Sequence, residues 1–308
     1  MYKTYREYLQ EKFGAVRVQK LSIDAGFSCP NRDGTIARGG CIYCNVRSFT
    51  PGYCNPRDSI SQQLEEGKRF FARKYPDMKY LAYFQSFTGT HSAAVESLRA
   101  LYEQAASTPD VVGIVIGTRP DCLPPQIMDL LEEFNRRVPV IVEIGAETSR
   151  DDTLQRINRG HTWHDVAEAA ENLHARGISV GVHLIAGLPG ESDEDVLATV
   201  EKMMELPVDT VKFHQLQVIR DTRLSELYQN GAIDVVPYRM EDYLNLCQRI
   251  VARIVKRRPD IAIERFLSSA PKGMVVAPDW GIKNHEFVNL LHNRLLKTKN
   301  TEKSEKSE

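Results

Sequence analysis

CPNRDGTIARGGCIYCN, residues 29–45, gathers Cys29, Cys41 and Cys44 in one loop, with three glycines between the first two thiols. The loop directly follows a β-like run at residues 16–23. Thiolates are the ligands that iron-sulfur clusters select, and glycines allow a backbone to turn closely around such a group. Three thiols in one glycine-rich loop therefore indicate a metal centre at the end of a strand.

One iron of a four-iron cluster would stay open, because the loop supplies three thiols where four is the usual number. In this respect the residues resemble the radical S-adenosylmethionine (radical SAM) superfamily, whose members chelate the open iron with that cofactor. The C-x11-C-x2-C spacing, with Pro30 after the first cysteine and Tyr43 before the third, resembles the elongator-like branch and its small bacterial proteins of the YtqA/YhcC type. The resemblance implies that the three cysteines bind a [4Fe-4S] cluster and that Tyr43 lies beside S-adenosyl-L-methionine.

The cysteines also allow simpler interpretations. A structural zinc site would need a fourth ligand, which Cys54 could supply. A disulfide framework is disfavoured, because no signal peptide opens the chain and a protein of 308 residues can bury a core without staples. Cys122 and Cys247 lie in ordinary segments, where cysteine behaves as a small buried apolar residue.

The composition is that of an ordinary soluble protein, with 42% hydrophobic and 26% charged residues. No apolar run reaches the roughly 20 residues that a membrane helix requires, so no membrane association is expected. We therefore expect a cytoplasmic protein, in a compartment where thiols stay reduced and a cluster can persist.

Charge is divided unevenly along the chain, although the formal net charge is only -1. Residues 1–57 carry 9 Lys and Arg against 4 Asp and Glu, and residues 249–299 carry 11 against 4, whereas residues 58–248 carry 18 against 30. If both basic ends lie on one face, they form a positive surface suited to a polyanion such as RNA. The alternative is that they are solvated helix faces.

Segments that are apolar almost throughout alternate with amphipathic segments along the middle of the chain. Residues 111–116 predict a buried strand, and residues 126–137 predict a helix with one apolar face. Six such units predict an α/β fold, a partial (βα)6 barrel with a C-terminal α/β extension, and the resemblance implies that this barrel is of the radical SAM type. The predicted parts are an N-terminal helical lead-in, the barrel, the extension on the substrate side and a disordered tail, at residues 1–15, 16–235, 236–298 and 299–308.

Ligands of parallel α/β proteins bind at the carboxyl ends of the strands, so the residues after each strand are candidates. Ser86, Thr88 and Gly89 follow the second strand, where the resemblance implies the segment that holds the methionyl amino group. Glu147 follows the fourth strand, and Arg159 stands twelve residues later in INRGHT. In the oxygen-independent coproporphyrinogen oxidases, this pair contacts the ribose hydroxyls and the methionyl carboxylate. The alternative is that both are surface charges.

The fifth strand and its turn, HLIAGLPGE at residues 183–191, resemble the strand of the superfamily that lies along the adenine. His183 is a candidate for the ribose side of the cofactor, with a core histidine as the alternative. Polar residues of the last strands and the extension are the candidates for contact with substrate: His214, Gln215, Gln217 and Lys283, with Arg220 and Trp280 near them.

The resemblance implies an enzyme that cleaves S-adenosyl-L-methionine reductively and generates a 5'-deoxyadenosyl radical. Elongator-like members act on the wobble uridine of tRNA, which implies tRNA as partner and, for this chain, conversion of a carboxymethylaminomethyl substituent to aminomethyl. A one-electron reductant of the flavodoxin or ferredoxin type is implied as a second partner. The alternatives are a radical SAM enzyme with a small-molecule substrate and a non-catalytic zinc or RNA-binding protein.

Overall fold

The computed structural model describes residues 1–72, 77–91 and 94–305, and ten strands lie within these residues. The strands are β1 (Lys3–Thr4), β2 (Arg17–Ile23), β3 (Met78–Phe84), β4 (Val111–Thr118), β5 (Val140–Glu147), β6 (Ser179–Ala186), β7 (Thr210–Gln215), β8 (Val218–Ile219), β9 (Ala262–Arg265) and β10 (Val275–Ala277).

Helices separate most of these strands. They are α1 (Tyr5–Phe13), α2 (Pro30–Asp33), α3 (Ile60–Ala72), α4 (Val95–Ala106), α5 (Pro125–Asn135), α6 (Asp151–Arg156), α7 (Trp163–Ala175), α8 (Asp193–Met204), α9 (Arg223–Gln229), α10 (Met240–Arg257) and α11 (Asn284–Glu305). Local chemistry defines several helix starts, because Thr4, Thr162 and Ser192 each form a capping box.

The main sheet has eight strands in the order β1-β9-β7-β6-β5-β4-β3-β2, and all neighbours in it are parallel. The consecutive strands β2 to β7 form the curled half-barrel that the sequence predicts, which confirms the predicted fold class. The C-terminal extension contributes β9 at the open edge beside β7, and β1 then pairs with β9.

The two faces of the sheet differ in composition. The outer face is apolar and packs under the helices, as Val140, Val142 and Ile144 of β5 illustrate. The inner face carries the alternate residues of each strand. At its amino-terminal end, α1 packs Tyr8 and Leu9 into the same apolar cluster as inner-face residues of β3, β4 and β5. Helix α1 therefore fills one end of the half-barrel.

Charged side chains occupy the middle of the barrel interior. Lys20 on β2 binds Glu143 on β5, and its Nζ lies 2.6 Å from Glu264 on β9. Lys212 on β7 lies 2.9 Å from Glu143 and 3.0 Å from Glu264. Two lysines and two glutamates thus compensate one another, and we call these four residues the ion cage. Its Glu143 is only 2% exposed, so its charge depends on the two lysines.

The C-terminal basic segment is largely paired with acidic residues elsewhere. Arg249, Arg253 and Arg257 on α10 make ion pairs with acidic residues at 193, 194, 201 and 205, on or directly after α8. The basic excess of residues 249–299 is therefore in good part internal to the protein. Helix α1 occupies the amino-terminal end of the barrel, away from the strand ends where ligands bind.

The last helix differs from the sequence prediction. Helix α11 runs from Asn284 to Glu305 and so continues into residues 299–308, which the sequence predicts to be a disordered tail. Glu and Lys favour helix once a preceding helix provides the nucleus, which explains the continuation. Residues 306–308 lie outside the described residues. Among the helices that the structure describes, none is both long and apolar enough to span a membrane.

Candidate functional site

A cavity opens at the carboxyl ends of the strands, between the cysteine loop and the C-terminal extension. It brings together most of the side chains that the sequence singles out: Cys29, Cys41, Tyr43, Cys44, Thr88, Glu147, Arg159, His183, His214, Gln215 and Gln217. Ser86 and Gly89 do not line it, although their neighbours Gln85, Phe87 and Thr88 do. The ion cage contributes Glu143 and Lys212 to the lining.

The cysteine loop, residues 29–45, has a defined local structure. Cys29 is the N-cap of the one-turn helix α2, and Pro30 takes the first helical position, where its missing N–H costs nothing. Gly34 ends the turn in the left-handed conformation with φ of 93°. The amide of Cys44 donates to the carbonyl of Cys41 at 3.0 Å, so the last two thiols stand on one tight turn.

Asparagine side chains tie this loop to the loop after β5. Asn31 is fully buried, and its Nδ2 donates to the carbonyls of Asn158 at 2.6 Å and Arg159 at 2.8 Å. In the other direction, Asn158 Nδ2 donates to the carbonyl of Gly40 in the cysteine loop at 2.8 Å. The cysteines and Arg159 are therefore positioned as one unit. Sequence reasoning missed Asn31, for which the only local signal is a polar residue directly after Cys29-Pro30.

The thiols have surroundings that suit thiolate ligands of a cluster. All three cysteines are free. Burial raises the pKa of the Cys44 thiol to about 11, and the neighbouring Cys41 adds to this shift. Two donors lie 3.6 Å from Cys41 Sγ, namely Asn31 Nδ2 and Arg159 Nη1. Such donors stabilise negative charge on sulfur, and a bound metal would offset the cost of deprotonating a buried thiol.

Cys54 is turned to a different partner. Its Sγ donates to the carbonyl of Ser22 at 3.1 Å, and it does not line the cavity. Burial raises the pKa of Cys54 to about 12. In the described part of the chain, no three His, Cys, Asp or Glu side chains converge on a point where one metal ion would bind. A cluster needs no such point, because each of its irons takes its own thiolate.

Glu147 and Arg159 form a buried pair at the end of β5. Arg159 Nη2 lies 3.3 Å from Glu147 Oε1 and donates to the carbonyl of Gly145 at 2.7 Å. Glu147 adopts a φ of 67°, which is uncommon for a residue with a side chain and typical of functional positions. Both are buried, with 7% exposure for Arg159 and 8% for Glu147, so neither is a surface charge.

The segment after β3 lies against the cysteine loop. The amide of Thr88 faces the carbonyl of Ser28 at 3.3 Å, directly before Cys29. The amide of Gly89 donates to the carbonyl of Gly117, and the hydroxyl of Tyr102 donates to the carbonyl of Gly89. A Cβ at Gly89 would lie 2.9 Å from the carbonyl oxygen of Gly117, so close backbone packing explains this glycine. Ser86 is buried, with its hydroxyl 3.4 Å from that of Thr50.

The two cavity histidines belong to different networks. His183 Nε2 lies 2.9 Å from Glu143 of the ion cage. His214 Nδ1 lies 3.0 Å from Arg265 Nη2 and 3.1 Å from the hydroxyl of Ser268. The pKa of His183 is lowered by burial and by Lys212, so the imidazole is neutral at pH 7.

The remaining substrate candidates are distributed unevenly. Gln215 is buried and accepts from the amide of Ser268 at 2.6 Å, and Gln217 lines the cavity near the end of β7. Lys283 lies elsewhere: it is exposed, and its amide is bonded to Glu286 at the start of α11. Trp280 stacks on Phe287 inside the extension. Of these four, the two glutamines reach the cavity.

Sequence reasoning missed three basic residues of the cavity. Arg119, Lys212 and Arg265 all line it. Arg119 Nη1, Arg159 Nε and Arg265 Nε are buried nitrogens without an acceptor among the described residues. Three guanidinium groups with unused donors around one cavity suit anionic ligand groups. Arg119 directly follows an apolar strand, whereas Lys212 and Arg265 lie within strands that carry other polar residues, so the three became candidates only once the strands were paired.

The chain matches known families over nearly its whole length. Residues 32–203 match the family described as "Radical SAM superfamily", and residues 208–297 match the "Radical_SAM C-terminal domain". Protein YhcC of Escherichia coli strain K12 is 38% identical over 273 residues, which are 88% of this chain and 85% of the relative. YtqA of Bacillus subtilis is 35% identical over 295 residues, 96% of this chain and 89% of the relative.

More distant relatives match a part of the chain or its fold. A tRNA uridine(34) acetyltransferase of Methanocaldococcus jannaschii is 29% identical over 186 residues, which cover 58% of this chain and 33% of that protein. Among solved structures, Elp3 of the archaeon Methanocaldococcus infernus superposes with a TM-score of 0.68 at 17% identity, covering 92% of this chain and 63% of that one. This structural likeness concerns the fold, and it agrees with the half-barrel described above.

Proposed function

This chain belongs to the radical SAM superfamily, and on that premise we propose that it modifies the wobble uridine of tRNA by converting carboxymethylaminomethyluridine to aminomethyluridine. Its cofactors are a [4Fe-4S] cluster and S-adenosyl-L-methionine. When bound and reduced, they would supply a 5'-deoxyadenosyl radical that takes a hydrogen atom from the substrate. The removed two-carbon group would leave as glyoxylate, with water as the source of its aldehyde oxygen and S-adenosyl-L-methionine, split to methionine and 5'-deoxyadenosine, as the two-electron oxidant. Every other part of the proposal concerns what the residues of this chain bind, orient and exclude.

We assign the cofactors to the cysteine-loop side of the cavity. Cys29, Cys41 and Cys44 would hold the cluster, and the donors on Cys41 Sγ fit a thiolate there. Arg159 offers a guanidinium fork for the methionyl carboxylate, and its buried Nε has no acceptor among the described residues. Glu147 can accept from the ribose hydroxyls. The segment at Thr88 lies beside the cysteines and offers backbone groups to the cofactor.

The observation that carries the tRNA proposal is the cationic rim of this cavity. Arg32 lines the cavity. Asn45 Nδ2 donates to the carbonyl of Arg220 at 3.0 Å, and Arg220 Nε donates to the carbonyl of Gly273. These bonds bring the loop that contains Arg47 close to the loop that contains Lys272. Arg32, Arg47 and Lys272 are exposed, and in the described part of the chain none of them pairs with a carboxylate. Unpaired cations around a deep pocket suit a polyanion that inserts one nucleotide.

The relatives support the same substrate class. The acetyltransferase relatives are named for uridine 34 of tRNA, and one of them aligns with 58% of this chain. We propose that this barrel acts on the same base here. The electron for the reaction comes from outside the chain, and we propose a one-electron reductant of the flavodoxin or ferredoxin type. Six free cysteines suit the reducing cytoplasm, which we propose as the compartment.

The test is anaerobic and uses tRNA that carries carboxymethylaminomethyluridine. The protein is reconstituted with iron and sulfide, supplied with dithionite and S-adenosyl-L-methionine, and the nucleosides are then analysed together with 5'-deoxyadenosine. We expect aminomethyluridine and 5'-deoxyadenosine from the wild type. Cys41→Ala removes one cluster ligand and should abolish both products.

Cys54→Ala is the matched control, because this thiol bonds to the carbonyl of Ser22 and lies outside the cavity. It should keep its iron, its brown colour and both products. Loss of iron in Cys54→Ala, or a wild type that binds zinc in preference to a cluster, would support the zinc alternative instead. Formation of 5'-deoxyadenosine without any change in tRNA would point to a small-molecule substrate.

A further inference from the structure

Arg265 is a cationic side chain of the cavity without a matching carboxylate. It ends β9 and lines the cavity, and among the described residues its side chain makes one hydrogen bond, from Nη2 to His214 Nδ1 at 3.0 Å. Its Nε is buried and has no acceptor among the described residues, and no carboxylate of that part of the chain lies within ion-pair distance. A buried N–H donor without an acceptor is costly unless a ligand supplies one.

The other arginines of the cavity are different. Arg119 makes two bonds to Asp121, at 2.9 and 2.7 Å, and Arg159 lies 3.3 Å from Glu147. Arg32 is exposed at the mouth. Both paired arginines follow β4 or β5 on the cysteine-loop side, whereas Arg265 comes from the C-terminal extension. The cavity therefore has a second cationic group beyond the one assigned to the cofactor carboxylate.

The acidic residues near the floor of the cavity are already compensated. Glu143 is bound by Lys20, Lys212 and His183, and Glu264 is bound by the same two lysines. Both carboxylates of the ion cage are therefore already paired with lysines, and neither serves as the counter-ion of Arg265.

His214 adds a donor beside this arginine. Because Arg265 donates to Nδ1, the proton of the neutral imidazole is on Nε2. Burial lowers the pKa of His214 well below its ordinary value, and the charge of Arg265 lowers it further. The hydroxyl of Ser268 lies 3.1 Å from the same Nδ1, and the amide of Ser268 is fixed on Gln215 Oε1 at 2.6 Å. Arg265 and His214 therefore both offer N–H donors at the cavity, and the hydrogen bond between them fixes their relative position.

We propose that Arg265, supported by His214, binds a carboxylate of the substrate; this rests on the proposed function, in which the carboxylate is that of the carboxymethylaminomethyl group. A guanidinium fork matches a carboxylate in geometry and charge, and it discriminates against the corresponding amide. Arg265 is thereby a specificity-determining residue, on the opposite side of the cavity from the cysteine loop.

The first test needs neither tRNA nor catalysis. N-Methylglycine is the carboxymethylaminomethyl group with a hydrogen atom in place of the uridine, and in N-methylglycinamide a neutral amide replaces the carboxylate. Calorimetric titration of the reconstituted protein should show about 10-fold tighter binding of the acid than of the amide. Arg265→Gln should reduce this preference to within about threefold, and Arg265→Lys should retain part of it. Arg253→Gln, on α10, is the matched control and should behave as the wild type.

The second test uses tRNA that carries either the carboxymethylaminomethyl group or its amide. Wild type should favour the acid by about 10- to 100-fold in kcat/KM, and Arg265→Gln should lose this preference while still forming 5'-deoxyadenosine. A preference that survives in Arg265→Gln would overturn the assignment. If wild type changes neither tRNA but binds N-methylglycine in an Arg265-dependent way, the uridine reaction fails and the carboxylate site stands.

Discussion

Glu191, the last residue of HLIAGLPGE, is a largely buried carboxylate with an incomplete set of partners. Its Oε1 accepts from Thr148 Oγ1 at 2.6 Å, and its Oε2 is buried without a donor among the described residues. Burial raises the pKa of Glu191 above its ordinary value. A carboxyl group whose pKa is raised on folding favours the folded state at low pH, and this contribution is lost as pH rises through the folded-state pKa.

Glu191→Gln should therefore stabilise the protein at pH 7, because an amide avoids the cost of a buried charge. We expect a gain of about 1 kcal/mol in the free energy of unfolding. The difference between variant and wild type should shrink as pH falls toward the unfolded-state pKa of about 4.3. Urea unfolding at several pH values measures it. If the gain in the free energy of unfolding from Glu191→Gln were smaller at pH 7 than at pH 5, the raised pKa of Glu191 would be contradicted.

Asp195, four residues further on, is the control, because its pKa is shifted in the opposite direction. It caps α8 through Ser192, and these bonds lower the pKa of Asp195 to about 2. A carboxyl group whose pKa is lowered on folding contributes stability above its unfolded-state pKa, which is lost as pH falls. Asp195→Asn should therefore lose stability at pH 7, by about 0.5–1 kcal/mol for a helix cap, and recover relative to wild type below pH 4.

At the scale of the elements, the sequence predicted what is local. The six strand–helix units follow from the alternation of apolar and amphipathic segments, and the turn of the cysteine loop follows from its glycines and Pro30. The ion cage could not be predicted in the same way. Lys20, Glu143 and Lys212 lie on three different strands, and nothing in the sequence near any of them indicates its partner. Their pairing spans 123 residues from Lys20 to Glu143, which no local pattern records.

The site shows the same limit. The cysteines, Glu147 and Arg159 carried a recognisable spacing, whereas Arg265 became a candidate only when β9 was seen beside β7. Lys283 was a candidate as a polar residue of the C-terminal extension, but the start of α11 holds it at the surface. Which residues of the extension reach the cavity depends on how the extension packs, and this packing is set by contacts between distant segments.

The ion cage gives a prediction at this scale. Glu143→Gln leaves Lys20 and Lys212 with Glu264 as their single counter-ion in a buried setting. Burial alone would raise the pKa of Glu143, but Lys20 and Lys212 hold it well below its ordinary value, so the carboxylate is charged at pH 7. Breaking a buried pair in this way costs about 3–5 kcal/mol.

Denaturant unfolding of the reconstituted protein measures that cost. Glu103→Gln is the control, because it removes an exposed ion pair with Arg137, in which the two side chains are 44% and 52% exposed. An exposed pair contributes at most about 1 kcal/mol. If the two variants lose the same stability, the cage does not hold the strands together.

At the scale of the whole molecule, the distribution of charge matters more than its total. The sequence suggested a positive surface formed by the two basic ends. In the structure, α10 pairs its arginines with α8, and α1 lies at the amino-terminal end of the barrel. Among the described residues, exposed cations near the mouth of the cavity that pair with no carboxylate are instead Arg32, Arg47 and Lys272, which come from the cysteine loop, the loop that follows it and the β8–β10 region.

This difference predicts where RNA binds. Arg47→Gln and Lys272→Gln together should weaken tRNA binding and reduce the slope of log K against log salt by about 1.5, since each phosphate contact contributes about 0.7–0.9. Arg253→Gln with Arg257→Gln removes the same charge from α10, where both side chains pair with Glu201. Because those charges are internally compensated, this control should leave the slope unchanged. The reverse result would place the tRNA on the outer helices and away from the cavity that must receive its base.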